Sequence, residues 1–287
     1  MQKPAIGASV SDYYKELEGA LQAIYEANEA ATIARFVLED AFNVNAPTVS
    51  KRVLDQTERT RFFDMQTQLL QRRPWQYVVG TADFFRFKLN VDEQVLIPRP
   101  ETEQLVYLIA ERHKNEALNV LDIGTGSGCI ALTLKDKLQK STVTGVDKSE
   151  GAIKLATQNA KKYQLDVAFQ TVDILNKEAT KKMPSYHLIV SNPPYIQHSE
   201  EHLMPPHVLE YEPSMALFVT NDDPLQFYKI IVAFALEHLH PKGWLYFEIN
   251  EFFGKEVLNL VEENGFVNCE LMEDLFGRDR MVVAQLQ

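Results

Sequence analysis

Apolar residues recur at helical spacing from Ser11 to about Arg73, as at Tyr14, Leu17, Leu21, Ile24 and Tyr25, in a stretch rich in Ala, Leu, Glu and Gln whose one proline is Pro47. The pattern predicts a small helical domain over residues 1–75, with Ser11 as its helix start. After Pro74 the period changes. Asp83 to Val91 alternates apolar and charged residues, and Gln94-Val95-Leu96-Ile97 follows a short turn, which predicts a β-hairpin linker within residues 76–98 whose strands are these two runs. Pro98-Arg99-Pro100 ends the strand, and Glu101 to His113 resumes helical spacing. From Asn119 onward strands and helices alternate: strands at 120–123, 142–146, 167–171 and 188–190, with helices running to Leu138 and Lys162 between them. A helix at 224–238, a strand at 244–249, a helix at 255–264 and a closing strand pair at 266–272 and 280–285 complete the pattern. Such alternation predicts a parallel sheet with crossover helices, an α/β domain over residues 99–287.

Composition narrows the class. Of 287 residues 45% are hydrophobic and 24% charged, the make-up of a globular chain rather than a disordered or fibrous one. Lys and Arg number 29 against 40 Asp and Glu, a net charge of −11 that disfavours phosphate backbones as partners, so no direct nucleic-acid binding is expected. Two cysteines, Cys129 and Cys269, exclude a disulfide framework. No stretch of roughly 18 apolar residues is present, and the N-terminus lacks a signal-like apolar core. A cytoplasmic monomer away from membranes is expected.

Three motifs carry chemistry. Val120 to Ile123 runs into Gly124-Thr125-Gly126-Ser127-Gly128 and then a helix, where glycines admit a ligand close to the backbone and the helix offers free N–H groups. Cys129 stands where a dinucleotide fingerprint needs its third glycine, which favours a different nucleoside cofactor over NAD or FAD. Asp147 follows the next strand and can accept both ribose hydroxyls or cap the following helix, a role for which Ser149 competes. Asp173 and Ile174, after the third strand, can hold an adenine ring by its amine and its face, or form an ordinary turn. The most specific motif is Asn192-Pro193-Pro194-Tyr195 at the end of an apolar strand. The Asn192 oxygen and the Pro193 carbonyl can accept both hydrogens of a planar NH₂, with Tyr195 stacked on its face.

These motifs resemble those of class I S-adenosylmethionine-dependent methyltransferases, and the Asn-Pro-Pro-Tyr form resembles enzymes that methylate planar amide or exocyclic amino nitrogens. Pro74 to Gly80, Val95 to Glu103, Glu212-Pro213, Ala216-Leu217 and Gly277-Arg278-Asp279-Arg280 further resemble the release factor glutamine methyltransferases of the HemK/PrmC type. The resemblance implies a Rossmann-like sheet of seven strands with the last antiparallel. It implies S-adenosyl-L-methionine as cofactor and S-adenosyl-L-homocysteine as product. It also implies a peptide chain release factor as partner, its glutamine methylated on the side-chain nitrogen. By motif, Gly124, Thr125, Gly126, Ser127, Gly128, Asp147, Asp173, Ile174 and Asn192 fall to the cofactor. Asn192, Pro193, Pro194 and Tyr195 fall to the substrate, and Asn192, Pro193 and Tyr195 to catalysis. Two positions depart from the family: Asn250 after Glu248-Ile249, where glycine is common, and Ile174, often aromatic in relatives. The rival functions are N-methylation of a nucleic-acid base, which would require base flipping or a single strand, and a silent cofactor-binding adaptor.

His198, His202 and His207, with Glu200 and Glu201, have no regular ligand spacing, so no metal is expected and residues 197–211 are read as a substrate loop. Cys129 is read as a packing residue, its thiol acidified if the helix N-terminus acts on it.

Overall fold

The computed structural model describes residues 7–287, which divide into two compact units. One runs to Thr81 and also takes in Pro206–Tyr211; the other holds Ala82–Pro205 and Glu212–Gln287.

In the helical unit, α1 (Val10–Leu21), α2 (Ala27–Phe42), α3 (Gln56–Leu70) and the short α4 (Trp75–Val79) enclose a core that includes Tyr13, Leu17, Leu21, Val37, Leu38 and Phe62. Helix α1 begins one residue before Ser11, because the Ser9 hydroxyl and N–H both donate to the Asp12 carboxylate, at 2.6 and 2.9 Å, and take the capping role. Trp75 stacks on Phe36 with ring centroids 5.1 Å apart, and Val78 and Val79 pack on the same core, so the helical unit reaches past residue 75.

The hairpin differs from the sequence expectation. Its strands are β1 (Thr81–Phe84) and β2 (Phe87–Asn90), and Gln94–Ile97 is not a strand. The alternation breaks at the doublet Phe84-Phe85: Phe84 and Phe87 are buried on the same side of a tight turn, Phe85 takes φ 49°, and its N–H donates to Glu103 Oε1 at 2.6 Å. The segment after β2 is held by side chains instead of a strand partner. Asp92 accepts from Gln94 N, and Glu212 Oε2 accepts from Ile97 N at 3.2 Å.

Helix α5 (Pro100–Arg112) leads into the sheet, formed by β3 (Asn119–Ile123), β4 (Thr142–Asp147), β5 (Val167–Thr171), β6 (Tyr186–Ser191), β9 (Leu239–Glu248), β10 (Phe266–Glu273) and β11 (Asp279–Leu286). The short α8 (Lys177–Thr180) precedes β6, and between β6 and β9 a minor ladder joins β7 (Ile196–Gln197) to β8 (Phe218–Val219), which the one-turn α10 (Ser214–Leu217) precedes. The order is β10-β11-β9-β6-β3-β4-β5, with β11 antiparallel to both neighbours and the remaining pairs parallel. A seven-stranded sheet with its last strand antiparallel is what the resemblance implied. Period-two alternation assigns residues to opposite faces. Val120, Leu188, Val190, Tyr246 and Val283 join a core under α5, α6 (Cys129–Lys137) and α7 (Glu150–Tyr163). Leu121, Ile189, Phe247 and Val282 join one under α11 (Gln226–His238) and α12 (Gly254–Glu263). Each fully buried aliphatic contributes about 1.5–3 kcal/mol relative to exposure.

The chain leaves β3 towards β4 on one side and returns through β6 on the other, so a crevice opens at the carboxyl ends of β3 and β6, where open α/β sheets bind ligands. The segment read as a substrate loop is mostly helical, a 3₁₀ turn at His198–Leu203 followed by α9 (Pro206–Tyr211). No helix among the described residues is long and apolar enough to cross a membrane.

Candidate active site

A cleft open at its mouth, whose empty space together with the solvent at that mouth is about 1020 Å³, lies at that crevice. Its first wall is the glycine loop. Gly124, Gly126 and Gly128 have φ of 75°, 52° and 83°, a left-handed conformation that side chains resist, and this turns the chain sharply out of β3 into α6. Gly124 N and Thr125 N donate back to Val146 O at 2.9 and 3.0 Å. Beneath the loop, fully buried Asp122 accepts from the Thr125 hydroxyl at 2.6 Å and from Ala131 N at 3.2 Å, and burial pushes its carboxyl up to about 7. Buried Asn159 on α7 donates to Ser127 O and exchanges hydrogen bonds with the Asn90 backbone, which ties the loop to β2.

Asp147, half-buried at the end of β4, accepts from Gly126 N at 3.0 Å and Ser149 N at 2.9 Å. Each of its oxygens keeps a lone pair for a ligand hydroxyl, while the cap of α7 is Ser149. Burial raises the Asp147 pKa against these hydrogen bonds. Asp173 lines the cleft and also holds a turn by accepting from Leu175 N at 2.9 Å; Ile174 beside it presents an apolar surface.

The second wall is the end of β6. Ser191 donates to Ile123 O at 2.8 Å, and a Cβ on Gly124 would lie 3.9 Å from Asn192 O, so the two motifs adjoin. Asn192, Pro193 and Pro194 line the cleft together with Gly124, Thr125, Gly126, Ser127, Asp147, Asp173 and Ile174. Two expected residues do not line it. Gly128 caps α6, where a Cβ would meet Phe169, Ala156 and Leu132 at 3.1–3.3 Å. Tyr195 packs with the α11 and α12 core and its hydroxyl donates to Glu248 Oε1 at 3.3 Å; burial first, then the Glu248 charge and this hydrogen bond, push its pKa up.

Sequence reasoning missed Thr102, Arg99 and Glu212 as site residues and gave Glu248 no role. Thr102, on the first turn of α5 and 2% exposed, accepts from Asn192 Nδ2 at 3.2 Å and donates to Glu248 Oε2 at 2.7 Å. Glu248 is 1% exposed, and burial raises its pKa against the Thr102 and Tyr195 hydrogen bonds and the Arg280 charge. Arg99 lines the cleft and donates to buried Glu212 at 2.6 Å. For Arg99 and Thr102 the signal was the run Arg99-Pro100-Glu101-Thr102-Glu103; the partners of these two, Glu212 and Glu248, lie far along the chain. Asn250 caps a 3₁₀ turn through Phe252 N and donates to Tyr195 O at 3.1 Å, a clasp that glycine lacks.

Cys129 packs against the core, and burial beside Asp122 pushes its thiol up to about 12, the reverse of the acidification expected of a helix N-terminus. Among the described residues no group of three His, Cys, Asp or Glu is placed to hold a metal.

The Methyltransferase small domain family matches residues 102–209. A release factor glutamine methyltransferase of Flavobacterium psychrophilum is 38% identical over 95% of this chain and 98% of its own. One of the same name from Bacteroides thetaiotaomicron is 36% identical over 92% and 96%. Among solved structures, the hMettl16 catalytic domain in complex with an RNA hairpin superposes with a TM-score of 0.57 at 16% identity, covering 90% of this chain and 91% of that one. The Thermus thermophilus 16S rRNA methyltransferase RsmC, in complex with AdoMet and guanosine, gives 0.51 at 17% identity, covering 72% and 50%. At these identities the two structures carry the fold alone.

Proposed function

The chain belongs to the release factor glutamine methyltransferases, and from that premise we propose that it moves a methyl group from S-adenosylmethionine to the side-chain amide nitrogen, N5, of a glutamine in a peptide chain release factor. The observation that carries this reading is the meeting of Asn192 and Pro193 with the glycine loop and Asp147 in one cleft.

The residues fit the cofactor by their chemistry. Asp147 has lone pairs for two ribose hydroxyls, the left-handed glycines open the backbone, and Val172 and Ile174 offer apolar surface beside the Asp173 carboxylate. When bound, the cofactor would supply an electrophilic sulfonium methyl, whose S–C bond electrons stay on sulfur and leave S-adenosyl-L-homocysteine as the neutral thioether. An amide nitrogen is a weak nucleophile, because its lone pair is delocalised into the carbonyl. The Asn192 oxygen and the Pro193 carbonyl accept its two hydrogens, fix the nitrogen in place and stabilise positive charge as the new N–C bond forms. Neither group is a strong base, so one N–H proton leaves to solvent after transfer.

The helical unit, which holds none of the cleft residues, docks the protein substrate, since a single glutamine side chain buries too little surface to select one protein among many. Transfer of labelled methyl to release factor tests the reading. Incorporation is expected in the native factor and not in one whose target glutamine is replaced. Labelling of single-stranded or duplex nucleic acid instead would overturn it.

A further inference from the structure

Asn192 can fill its place in two orientations that differ only by exchange of its oxygen and NH₂. Only one of them suits a substrate amide, which brings two donors of its own. With the NH₂ turned to the cleft, donor would face donor and the substrate amide would lie unpaired, at a cost comparable to a lost buried hydrogen bond. Shape does not decide between them. The polarity of the neighbouring hydrogen bonds does, and it originates at a carboxylate that the reaction itself does not use.

Glu248, closing β9 and buried, can only accept when ionised. The Thr102 hydroxyl has one hydrogen and gives it to Glu248 Oε2 at 2.7 Å, so it meets Asn192 with lone pairs alone and demands the NH₂, 3.2 Å away. The Asn192 oxygen is then left for the cleft, which Asn192 and Thr102 both line. Tyr195 donates to the other Glu248 oxygen at 3.3 Å, so both carboxylate oxygens are occupied as acceptors. We propose that Thr102 and Glu248 are positioning residues, which fix the amide orientation of Asn192 so that its oxygen and not its NH₂ meets the substrate nitrogen. This rests on the methyl-transfer reading above.

The test compares Thr102→Val, Thr102→Ser and Glu248→Gln in the full chain, each also combined with Asn192→Ala. Thr102→Val keeps the shape and removes the hydroxyl, and kcat is expected to fall about tenfold or more with cofactor affinity within a few fold, the pattern of a lost transition-state contact. Thr102→Ser restores most of that loss. Glu248→Gln has one acceptor for two donors, so Thr102 can reverse and turn Asn192 over; the loss again falls on kcat. In the Asn192→Ala background Thr102→Val should change kcat by less than about twofold, because a residue acting only through Asn192 has nothing left to orient. An equal loss with and without Asn192 would overturn the proposal, as would failure of serine to rescue in a variant that melts as the parent does. A second readout does not depend on activity. The Asn192 side-chain NH₂, observed by ¹⁵N NMR, should show a hydrogen-bonded proton in the parent that is lost in Thr102→Val; an unchanged signal overturns the orientation. If the parent fails to methylate release factor, the functional reading falls, while the NMR comparison still decides the orientation.

Discussion

The glycine loop at the end of β3 and the Asn192 corner at the end of β6 face one cleft, yet the first is shaped by backbone and the second by side chains. In the loop three left-handed glycines set the path, and its partners Asp122 and Asp147 stand at the carboxyl-terminal ends of β3 and β4, next to last and last. At the corner, Asn192 depends on Thr102 and Glu248, which lie 90 residues before it and 56 after it (192 − 102 and 248 − 192). The loop resists an added Cβ by left-handed strain at all three glycines and by crowding at Gly128 alone. A side-chain site tolerates backbone change, and fails when one hydrogen-bond polarity is reversed. On the methyl-transfer reading proposed above, the division matches the work: the loop would bind the cofactor, which positive φ and free N–H groups serve, and the corner would hold the substrate amide, which requires directed acceptors.

The largest expected effect lies at the corner. Asn192→Ala should lower kcat about a hundredfold or more while cofactor affinity stays within a few fold, as removal of a preorganised transition-state acceptor does. Stopped-flow turnover with calorimetric cofactor binding reads the two apart. A matching loss in both would mean that the corner serves the cofactor too, and the comparison would break. On the loop side the split should reverse: Asp147→Ala should weaken cofactor binding by about 1.5–3 kcal/mol, the value of hydrogen bonds to a charged group. It also releases Gly126 N, so a folded variant with unchanged affinity would remove Asp147 from the site.

Gly128→Ala sharpens the comparison further. At φ 83°, with Phe169 only 3.1 Å from the added Cβ, it should cost about 1–2 kcal/mol of thermal stability for the left-handed backbone alone. Gly124→Ala carries the same backbone strain with space around it, its nearest neighbour being 3.9 Å away. A larger stability loss at Gly124 than at Gly128 would show that crowding is not what distinguishes the two positions.

The same contrast explains what could be read from the chain. Strands β3, β4, β5, β6 and β9 were legible because each is a short local run alternating with helical stretches, and the glycine loop because its residues are contiguous. The hairpin was misread at Phe84-Phe85, where a turn hides inside an apparent alternation and Glu103 secures it from another element. Thr102 and Glu248 look like an ordinary first-turn threonine and a strand-end glutamate until the fold joins them. Asn159, in the middle of α7, gave no signal at all, since its partners Asn90 and Ser127 lie 69 and 32 residues away.

The smallest effect is expected at Tyr195→Phe, where the sign of the pH dependence carries the test. Burial raises the Glu248 carboxyl above its ordinary value of 4.5, and the Tyr195 hydroxyl is one of the groups that oppose the rise. A carboxyl so raised binds its proton more tightly in the fold than in the unfolded chain. Its contribution to stability is therefore full below 4.5 and is lost as pH rises through the higher folded value. Removing the hydroxyl takes one hydrogen bond from the ionised form and lifts the folded value further, so the variant should lose more than the parent over that interval. The stability gap should be small near about pH 4 and widen to about 0.5–1.5 kcal/mol by neutral pH, where it levels off. Turnover should fall far less than in Tyr195→Ala, because the ring still packs against the core and Thr102 still holds Glu248. Paired thermal melts of parent and variant across this range decide the matter: a gap of constant size would mean that the hydroxyl acts without reference to the charge on Glu248.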